Sequence, residues 1–467
     1  MSQVYKSMSI SNPHPPFADG TQKLMGAIAG IGLLILFLAL ARVPAIQGGA
    51  MLLLSLSLIT VGVIGYAWRS YATIQPGIKN NGIFFSGTMS RGMIGWISGI
   101  ILTGFYVLLY WFPALLGLGA GVEGANAGLV ALFDPLSQMI KGSNASQWFV
   151  YGTLYTLAIC IFGVRFIWKY RHNRYQIIRT CSIMFFQFAL AFMIPEILEG
   201  LNSNLKAGWF GTDFKNMWPL DYDFFHEWHL NNLRNGGALG MFMLVLGLLM
   251  ILVISPTLTY LYGKRWYCSW VCGCGGLAET AGDPYRHLSD KSLKAWKIER
   301  WMIHSVLVFA FLMTAVVLYG YFTGNGSIFG LSIYTYFNKP YGFLIGAAFS
   351  GVVGVGFYPL MGSRVWCRFG CPMAALLGLQ QKFFSRFRIT TNGNQCISCG
   401  NCSTYCEMGI DVRSYAQKGQ NIVRASCVGC GVCAAVCPRG VLKLENASTD
   451  VYEKTLDIRN DHVRIMN

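Results

Sequence analysis

The chain has 467 residues, of which 54% are hydrophobic and 12% are charged. Average soluble domains carry about twice that charged fraction, so the composition excludes an ordinary soluble protein and indicates a membrane protein with a soluble part. The formal net charge of +16 does not require a nucleic-acid partner. The basic residues lie at the ends of apolar stretches, as they do in the cytoplasmic loops of membrane proteins.

The first 23 residues are polar, with no apolar region before Leu24, so the sequence predicts no cleavable signal peptide. Apolar stretches of about 20 residues, the length that crosses a bilayer, then follow. They lie near 24–42, 50–68, 93–117, 148–168, 178–198, 238–262, 302–323 and 342–361. The sequence therefore predicts an all-α polytopic membrane protein with about eight transmembrane helices.

Lys and Arg are concentrated in one set of the loops between these stretches. Arg69, Arg171, Lys264 and Arg364 belong to that set, whereas the opposite loops contain far fewer basic residues. By the positive-inside rule the basic loops are cytoplasmic. We therefore expect a multi-pass protein of the bacterial inner membrane with both termini in the cytoplasm.

One outer loop, near 199–237, is rich in aromatic and acidic residues. Its aromatic residues are typical of a membrane-interface belt. It can alternatively form a quinol headgroup site or a docking surface for an outer partner. The candidate residues for that second function are Glu196, Glu199, His226, Glu227 and His229.

A short cysteine motif occurs twice, each time directly after an apolar stretch. Residues 263–272 and 362–371 align without a gap as G-x-R-x-[YW]-C-x3-C. If the segment is helical, a C-x3-C step places both sulfurs on one face. Two such pairs facing each other would offer four thiolates at the membrane surface. These cysteines are Cys268, Cys272, Cys367 and Cys371, with Cys274 as a possible fifth.

Three interpretations of these two turns remain open from the sequence. The cysteines form a further metal centre, a redox-active thiol set, or a group of free buried cysteines. Free cysteine is among the most buried residue types.

A doubled cysteine run near the C-terminus carries the strongest signal. The spacing C-x2-C-x2-C-x3-C occurs at 396–406 and again at 427–437. This spacing ligates 4Fe–4S clusters, and in two-cluster proteins the fourth cysteine of each run binds the other cluster. Two structural zinc sites are the alternative, although zinc usually takes two separated C-x2-C pairs. The predicted ligands are Cys396, Cys399, Cys402 and Cys437 for the first cluster, and Cys427, Cys430, Cys433 and Cys406 for the second.

Together these features predict the order of domains along the chain. The membrane part carries a small C-terminal α+β two-cluster ferredoxin-like domain, joined by an amphipathic linker helix that lies at the membrane interface. The predicted segments are an N-terminal segment 1–23, an N-terminal membrane domain 24–235, a membrane domain with the cysteine turns 236–372, the linker 373–390, the ferredoxin-like domain 391–445 and a polar tail 446–467.

The sequence motifs do not indicate any other cofactor. No C-x-x-C-H for covalent haem is present, and only His304 lies near the start of an apolar stretch, so we expect no haem. No Walker loop or dinucleotide fingerprint is present either, so we expect no nucleotide.

The repeated cysteine turn followed by the doubled ferredoxin run resembles the NosR/NapH family of membrane polyferredoxins, to which CcoG/FixG proteins are related. The resemblance covers roughly residues 240–445. Family members usually have C-x3-C-P, which Cys367 to Pro372 matches, whereas Gly273 follows Cys272 and Glu407 follows Cys406. The resemblance implies electron transfer between a quinol pool or cytoplasmic donor and a redox partner protein, often a respiratory reductase.

Two other functions remain open from the sequence. The chain can be a maturation factor in which the C-x3-C cysteines reduce or hand over a metal such as copper, which soft thiolates bind well. It can also be an electron-relay subunit of a larger membrane complex that has no quinone site of its own.

Overall fold

The computed structural model describes residues 18–72, 86–202, 209–214, 216–221 and 223–446, and the backbone of two short strands beyond them. Most of the predicted N-terminal segment and polar tail lie outside the described residues. Among the described residues, seven helices are long and apolar enough to cross a membrane, which confirms a mostly helical, multi-pass membrane protein. These spans are Gly20–Leu40, Gly49–Tyr71, Met93–Trp111, Gln147–Lys169, Arg174–Leu201, Gly237–Tyr262 and Leu293–Thr323.

Shorter helices connect the spans and build the C-terminal part. They are Ser86–Met89, Pro113–Leu116, Val122–Gly124, Gly128–Lys141, Trp209–Thr212, Glu227–Asn235, Arg265–Cys268, Gly273–Glu279, Asp283–Leu288, Tyr334–Asn338, Lys339–Tyr341, Gly342–Val353, Tyr358–Met361, Trp366–Gly370, Pro372–Phe384, Gly393–Gln395, Asn401–Thr404, Val412–Gln417 and Val432–Ala435.

The first two spans pack closely because each presents a glycine to the other helix. A Cβ on Gly32 would lie 2.7 Å from the Ser55 carbonyl oxygen, and one on Gly62 would lie 2.5 Å from the Ala29 nitrogen. The Ser55 hydroxyl also donates a hydrogen bond to the Gly32 carbonyl at 2.7 Å. Small residues and interhelical hydrogen bonds of this kind are how helices associate in a bilayer.

The eighth predicted stretch differs from the other seven, because it is a broken helix. Its π-helical part, Gly342–Val353, ends in a turn before Tyr358–Met361. The chain nevertheless returns along the seventh span. Ile333 contacts Gly320 near the end of that span, and Gly362 lies against Ser289, just before its start. The segment between them therefore covers the same depth without being one regular α-helix.

The C-terminal domain is built on an antiparallel strand pair. β3 (Phe387–Thr391) pairs with β4 (Leu442–Asn446), with Ile389 opposite Leu444. β3 thus begins inside the predicted linker 373–390. The helix Pro372–Phe384 buries Met373, Ala374 and Leu377, so it is packed into the protein and is not a free interfacial helix. Two further pairs are hairpins, β1 (Ser327–Ile328) with β2 (Leu331–Ser332) and β5 (Asp457–Arg459) with β6 (His462–Arg464).

The largest apolar core joins the membrane part to the C-terminal domain. It contains Tyr267 and Met313 from the membrane part and Ile389 and Val428 from the C-terminal domain. Both cysteine turns and most of the doubled cysteine run lie in or against this same core. The docked arrangement is therefore stabilised by apolar burial, which contributes roughly 25 cal/mol for each Å² removed from water.

Candidate metal centres

The doubled cysteine run forms two loops of the same shape. In each, a glycine in the left-handed region, Gly400 (φ 77°) or Gly431 (φ 73°), precedes a four-residue helix, Asn401–Thr404 or Val432–Ala435. A side chain at either position would be strained, whereas glycine takes this conformation freely. The glycines therefore let each loop turn its cysteines inward.

The two loops enclose two cavities, and each cavity is lined by four cysteines. The first, of about 350 Å³, is lined by Cys396, Cys399, Cys402 and Cys437. The second, of about 380 Å³, is lined by Cys406, Cys427, Cys430 and Cys433. The structure thus brings together the two sets that the sequence predicts, including the exchanged fourth cysteine of each run.

Both cavities fit a four-iron cluster by their chemistry, since a 4Fe–4S cube is held by four cysteine thiolates. Burial raises the pKa of Cys427 to about 11 and that of Cys402 to about 12. Such thiols lose their protons when a metal cation binds them, so these sites are suited to hold thiolates around a cluster.

The second cavity faces the membrane part of the protein. Tyr175 donates a hydrogen bond to the Gly429 carbonyl at 3.1 Å, and Gln176 donates one to the Cys430 carbonyl at 2.9 Å. Both donors lie at the start of the fifth span. Ser269, in the first cysteine turn, donates to the Val428 carbonyl at 2.8 Å.

The first cavity faces outward. Its lining includes Ile397, which is 57% exposed, and the exposed side chains of Arg413 and Arg439. The two cysteine sets therefore differ in position. One lies at the solvent surface and the other at the boundary with the membrane part.

The two cysteine turns share one backbone path. Each begins with a glycine at positive φ that ends the preceding helix, Gly263 at 67° and Gly362 at 94°. Each ends with an extended cysteine that caps the next helix, Cys272 before Gly273–Glu279 and Cys371 before Pro372–Phe384. The segment is therefore not a single helix, and its cysteines are brought together by a turn, unlike the helical arrangement considered from the sequence.

The structure places the thiols of the two turns close to one another. Burial, together with the neighbouring Cys272 and Cys367, raises the pKa of Cys268 to about 12. Burial followed by Cys367 and Cys268 raises the pKa of Cys371. The Cys272 thiol is the largest of the influences that raise the pKa of Cys274. All five predicted cysteines therefore belong to one cluster, which we call the turn cluster.

The turn cluster is inserted among the spans. A Cβ on Gly273 would lie 2.5 Å from the Gln187 side-chain oxygen and 3.5 Å from the Tyr155 ring, and Gly276 packs against Ile183. These contacts lie well inside the fourth and fifth spans. The turn cluster therefore lies deeper than the membrane-surface position expected from the sequence.

Between the turn cluster and the second cavity lies a buried network of ion pairs, which sequence reasoning missed. At its centre Glu407 accepts from Arg286 at 2.8 Å and from Arg364 at 3.0 Å. Arg364 also lies 3.5 Å from the Cys367 sulfur, and Arg286 lies 4.0 Å from the Cys430 sulfur. The two guanidinium groups thus connect a thiol of each site through one carboxylate.

The rest of the network continues into the spans. Asp283 pairs with Lys169 at 2.8 Å, with Arg165 at 3.0 Å and with Arg286 at 2.8 Å. Although burial opposes ionisation, Lys169, Arg165 and Arg286 hold the pKa of Asp283 below its ordinary value. Glu279 pairs with Arg179 and Arg364.

This buried network contains two more cations than carboxylates. Its members, all at most 5% exposed, are Arg165, Lys169, Arg179, Arg286 and Arg364 with Glu279, Asp283 and Glu407. The positive excess suits neighbouring thiolate-ligated clusters, which are anionic. The signal in the sequence was Arg165, which lies within the predicted stretch 148–168, where charged residues usually have a function.

Glu279, Glu407 and Cys430 also place ligand atoms within 4.8 Å of one another. Both carboxylates already face guanidinium groups, however, since Arg179 and Arg364 contact Glu279 while Arg286 and Arg364 contact Glu407. A metal cation there would be repelled by these neighbours, so we interpret the trio as part of the ion-pair network.

The five outer-loop candidates are not brought together in one site. Glu196 is buried and pairs with Lys141 at 2.9 Å, and Glu199 approaches the same lysine at 3.5 Å. His226 accepts a hydrogen bond from the Trp228 nitrogen at 3.4 Å, and Glu227 is exposed. His229 is buried and lies 3.1 Å from the Asn216 amide. His226 therefore caps the helix Glu227–Asn235, and His229 anchors it.

Comparison with known proteins places iron–sulfur domains on these same segments. Residues 395–442 match a 4Fe-4S dicluster domain, and residues 243–293 and 343–390 each match a 4Fe-4S binding domain. The first match contains the doubled cysteine run, and each of the other two contains one cysteine turn. No solved structure matches the chain.

Two curated relatives match part of the chain. An Escherichia coli (strain K12) protein named "Putative electron transport protein YccM" is 27% identical over 197 residues, 40% of this chain and 54% of that protein. A Methanocaldococcus jannaschii protein named "Uncharacterized protein MJ0749" is 26% identical over 175 residues, 36% of this chain and 61% of that protein. The matched region thus spans somewhat more than half the length of these relatives. The chain is a multi-pass membrane protein that carries 4Fe–4S ferredoxin-type domains.

Proposed function

We propose that this protein is a membrane-bound iron–sulfur electron carrier of the NosR/NapH type, which relays electrons between a quinol pool or a cytoplasmic donor and a redox partner. We place it in the bacterial inner membrane with its ferredoxin-like domain in the cytoplasm. The similarity to a protein named as an electron transport protein supports this proposal.

The observation that carries the proposal is the linear order of the three cysteine groups. The first cavity opens to solvent, the second contacts the start of the fifth span, and the turn cluster lies among the spans. When bound, a 4Fe–4S cluster exchanges single electrons with its neighbours, and its potential is set by nearby charge, hydrogen bonds and exposure. The protein supplies the ligands, their spacing and the positive network between the second and third groups.

The first cavity is the place where we expect the redox partner to dock. Its rim carries the exposed cations Arg413 and Arg439 beside the exposed Ile397. An apolar residue surrounded by basic ones suits an acidic protein partner, whose approach such charges accelerate.

We further propose that the turn cluster holds a third iron–sulfur centre through Cys268, Cys272, Cys367 and Cys371, with Cys274 as an additional donor. The match of both turns to a 4Fe-4S binding domain favours this over free buried cysteines. Cys268, Cys367 and Cys371 are each at most 7% exposed. A factor that hands a metal to another protein needs accessible thiols, so the maturation alternative is less well supported.

Iron and acid-labile sulfide per purified chain test this proposal, together with EPR spectra of the dithionite-reduced protein. At four irons per cube, we expect about twelve irons in the wild type and about eight in a Cys268→Ser/Cys367→Ser double variant. About eight in both proteins would confine the clusters to the C-terminal domain. Bound zinc without iron would overturn the electron-transfer function as a whole.

A further inference from the structure

A large cavity lies at the end of the membrane part that is remote from the ferredoxin-like domain. Its volume, with the part open to solvent included, is about 2000 Å³, and six aromatic residues line it, Trp111, Trp148, Trp228 and Phe343 among them. Polar side chains also reach it, including those of Lys141, Glu199, Asp223 and Asn338. We call it the outer cavity.

The fifth span shows how far the outer cavity is from the cysteine sites. Gln176, near the start of that span, contacts the second cysteine-lined cavity, and Glu199, near its end, lines the outer cavity. At 1.5 Å per helical residue these two positions are roughly 35 Å apart, about the thickness of a membrane core. The outer cavity and the ferredoxin-like domain therefore lie on opposite faces of the membrane part.

The polar groups of the outer cavity can take up protons. Glu199 remains partly exposed although it lies 3.5 Å from Lys141, so one of its faces is open to the cavity. Burial raises the pKa of Asp223 to about 6, against the opposing hydrogen bond from Asn338. Among the described residues, Lys141, Lys339, Glu196 and Asp221 are further charged side chains near these two carboxylates.

A row of aromatic rings leads from the outer cavity toward the turn cluster. Trp148, which lines the cavity, has its ring centroid 6.3 Å from that of Tyr151, and Tyr151 is 5.1 Å from Tyr155. Tyr155 in turn contacts the backbone at Gly273, between Cys272 and Cys274. Trp148, Tyr151 and Tyr155 lie on one face of the fourth span, because three- and four-residue steps separate them.

A second row of rings, from the third span, joins this row. Tyr110, also in the cavity wall, lies 5.3 Å from Trp148 and 6.5 Å from Tyr106, and Tyr106 lies 5.9 Å from Tyr151. Tyr106 is only 4% exposed, so the row runs through the interior and is not an aromatic belt at the lipid interface.

We propose that the outer cavity binds the headgroup of a quinol-type carrier and that the aromatic row joins this site to the turn cluster. The inference rests on the proposed function, because it needs an electron-accepting centre at the cysteine turns. A hydroquinone ring fits between aromatic walls, and its two hydroxyl groups need acceptors of the kind that Glu199 and Asp223 provide.

Groups of the protein can take up both the protons and the electrons that the hydroquinone loses. Oxidation of the hydroquinone breaks its two O–H bonds and leaves the quinone. Two protons pass to Glu199 and Asp223 and then to water on the outer face. Two electrons leave one at a time through the packed rings, which are not themselves oxidised, and one-electron iron–sulfur centres are the oxidant. In the reverse direction the same atoms reduce the quinone.

Binding is measured on the full-length protein in detergent, by titrating decylubiquinone and following the quenching of tryptophan fluorescence. Each carboxylate that accepts from the headgroup contributes enough for its loss to weaken binding about tenfold. We expect that loss in Glu199→Gln and in Asp223→Asn, and no change in Glu227→Gln, a matched variant of an exposed carboxyl outside the cavity. Equal dissociation constants in all four proteins would overturn the assignment of the site.

The aromatic row is tested by the rate at which decylubiquinone reoxidises the dithionite-reduced protein, followed by stopped-flow absorbance. Tyr155→Leu removes the ring beside Gly273 and should slow reoxidation at least several-fold without changing quinone affinity. Tyr155→Phe should restore the rate, and Tyr319→Leu, a tyrosine of the seventh span outside the row, should leave it unchanged. A wild-type rate in Tyr155→Leu would exclude the row as the route.

These outcomes are separable from failure of the proposed function. A chain without iron, or without an EPR signal after dithionite, would refute the electron-transfer function before any quinone is added. A different result would refute only the outer site: normal iron content and EPR signals, with a quinone affinity that neither Glu199→Gln nor Asp223→Asn changes.

Discussion

At the residue scale, Glu407 is the most informative position in the chain. It follows Cys406, where the related ferredoxin runs usually have proline, and its carboxylate is buried between Arg286 and Arg364. Those two arginines lie near the Cys430 and Cys367 sulfurs. A negative charge at this place opposes reduction of a nearby cluster, whereas the guanidinium groups favour it.

Glu407→Gln should therefore raise the midpoint potential of the second cluster, because it removes one negative charge and leaves both arginines in place. The potential is measured by EPR-monitored redox titration. Glu445→Gln is the control, since that carboxyl belongs to β4 and lines neither cysteine cavity. An unchanged potential, with normal iron content, would mean that Glu407 only holds the domains together.

Asp283 is the carboxylate on which the inner end of the network depends. It is 1% exposed and neutralises Arg165, Lys169 and Arg286. Removing one partner of a buried pair costs about 3–5 kcal/mol, because the other charge stays buried. Asp283→Asn should thus lower the melting temperature of the detergent-solubilised protein markedly, whereas Glu123→Gln, at an exposed position, should not.

The lowered pKa of Asp283 also predicts the direction in which folding stability changes as pH falls. A carboxyl whose pKa is lower in the folded state contributes stability above its unfolded value, which is lost as pH falls through the folded value. For Asp283 that loss begins below its ordinary pKa of 3.8. Below this pH, the stability of Asp283→Asn should therefore fall less steeply with pH than that of the wild type. Parallel curves of melting temperature against pH would contradict this role of Asp283.

At the element scale, glycine decides how close the first two spans approach. Gly32 and Gly62 each lie against backbone atoms of the neighbouring helix, whereas a Cβ on Gly30 would meet no other heavy atom within 4 Å. Gly30 and Gly32 belong to the same helix, so their separate replacement distinguishes packing from helix propensity.

Gly32→Ala should destabilise the protein because the added methyl group forces the helices apart, and Gly30→Ala should be neutral or slightly stabilising, since alanine is the better helix former. Thermal unfolding of both variants in the same detergent measures the difference. Equal melting temperatures would show that the two spans tolerate a wider separation.

The elements also show what the sequence could and could not predict. Cysteine spacing is local, so both sets of four cysteines were predicted from the sequence, and the structure groups them in that way. The partners of Glu407 come from positions 286 and 364, which no local pattern connects. The outer-loop prediction was based on composition. Of its five residues, only Glu199 lines the outer cavity. Which side chains reach that cavity depends on where the surrounding helices end, and composition does not give those positions.

At the scale of the whole molecule, the cysteine groups form a sequence from solvent to membrane interior. The first cavity has an exposed rim at Ile397, and the second is covered by Tyr175, Gln176 and Ser269. The outer cavity lies at the far end of the spans. The electron carrier that we propose would therefore have one electron entry or exit on each face of the membrane.

The different exposure of the first two sites predicts biphasic loss of iron to a chelator such as bathophenanthroline disulfonate. The cluster at Cys396, Cys399, Cys402 and Cys437 should lose its iron first, since the chelator reaches its rim directly. Cys396→Ser should abolish the fast phase, and Cys433→Ser should leave it intact. A single phase in the wild type would contradict the unequal exposure of the two cavities.

The contacts around Cys427 to Cys433 also have a consequence for biogenesis. Once Gln176 and Ser269 hold the backbone of this loop, and Gln381 donates to the Cys427 carbonyl at 2.8 Å, the loop is closed on its membrane side. We therefore expect a cluster to be inserted there before the domain docks. In that order of assembly, cluster-assembly proteins would act on the newly made, still undocked domain, whereas the first cavity, with its exposed rim, would stay accessible after docking.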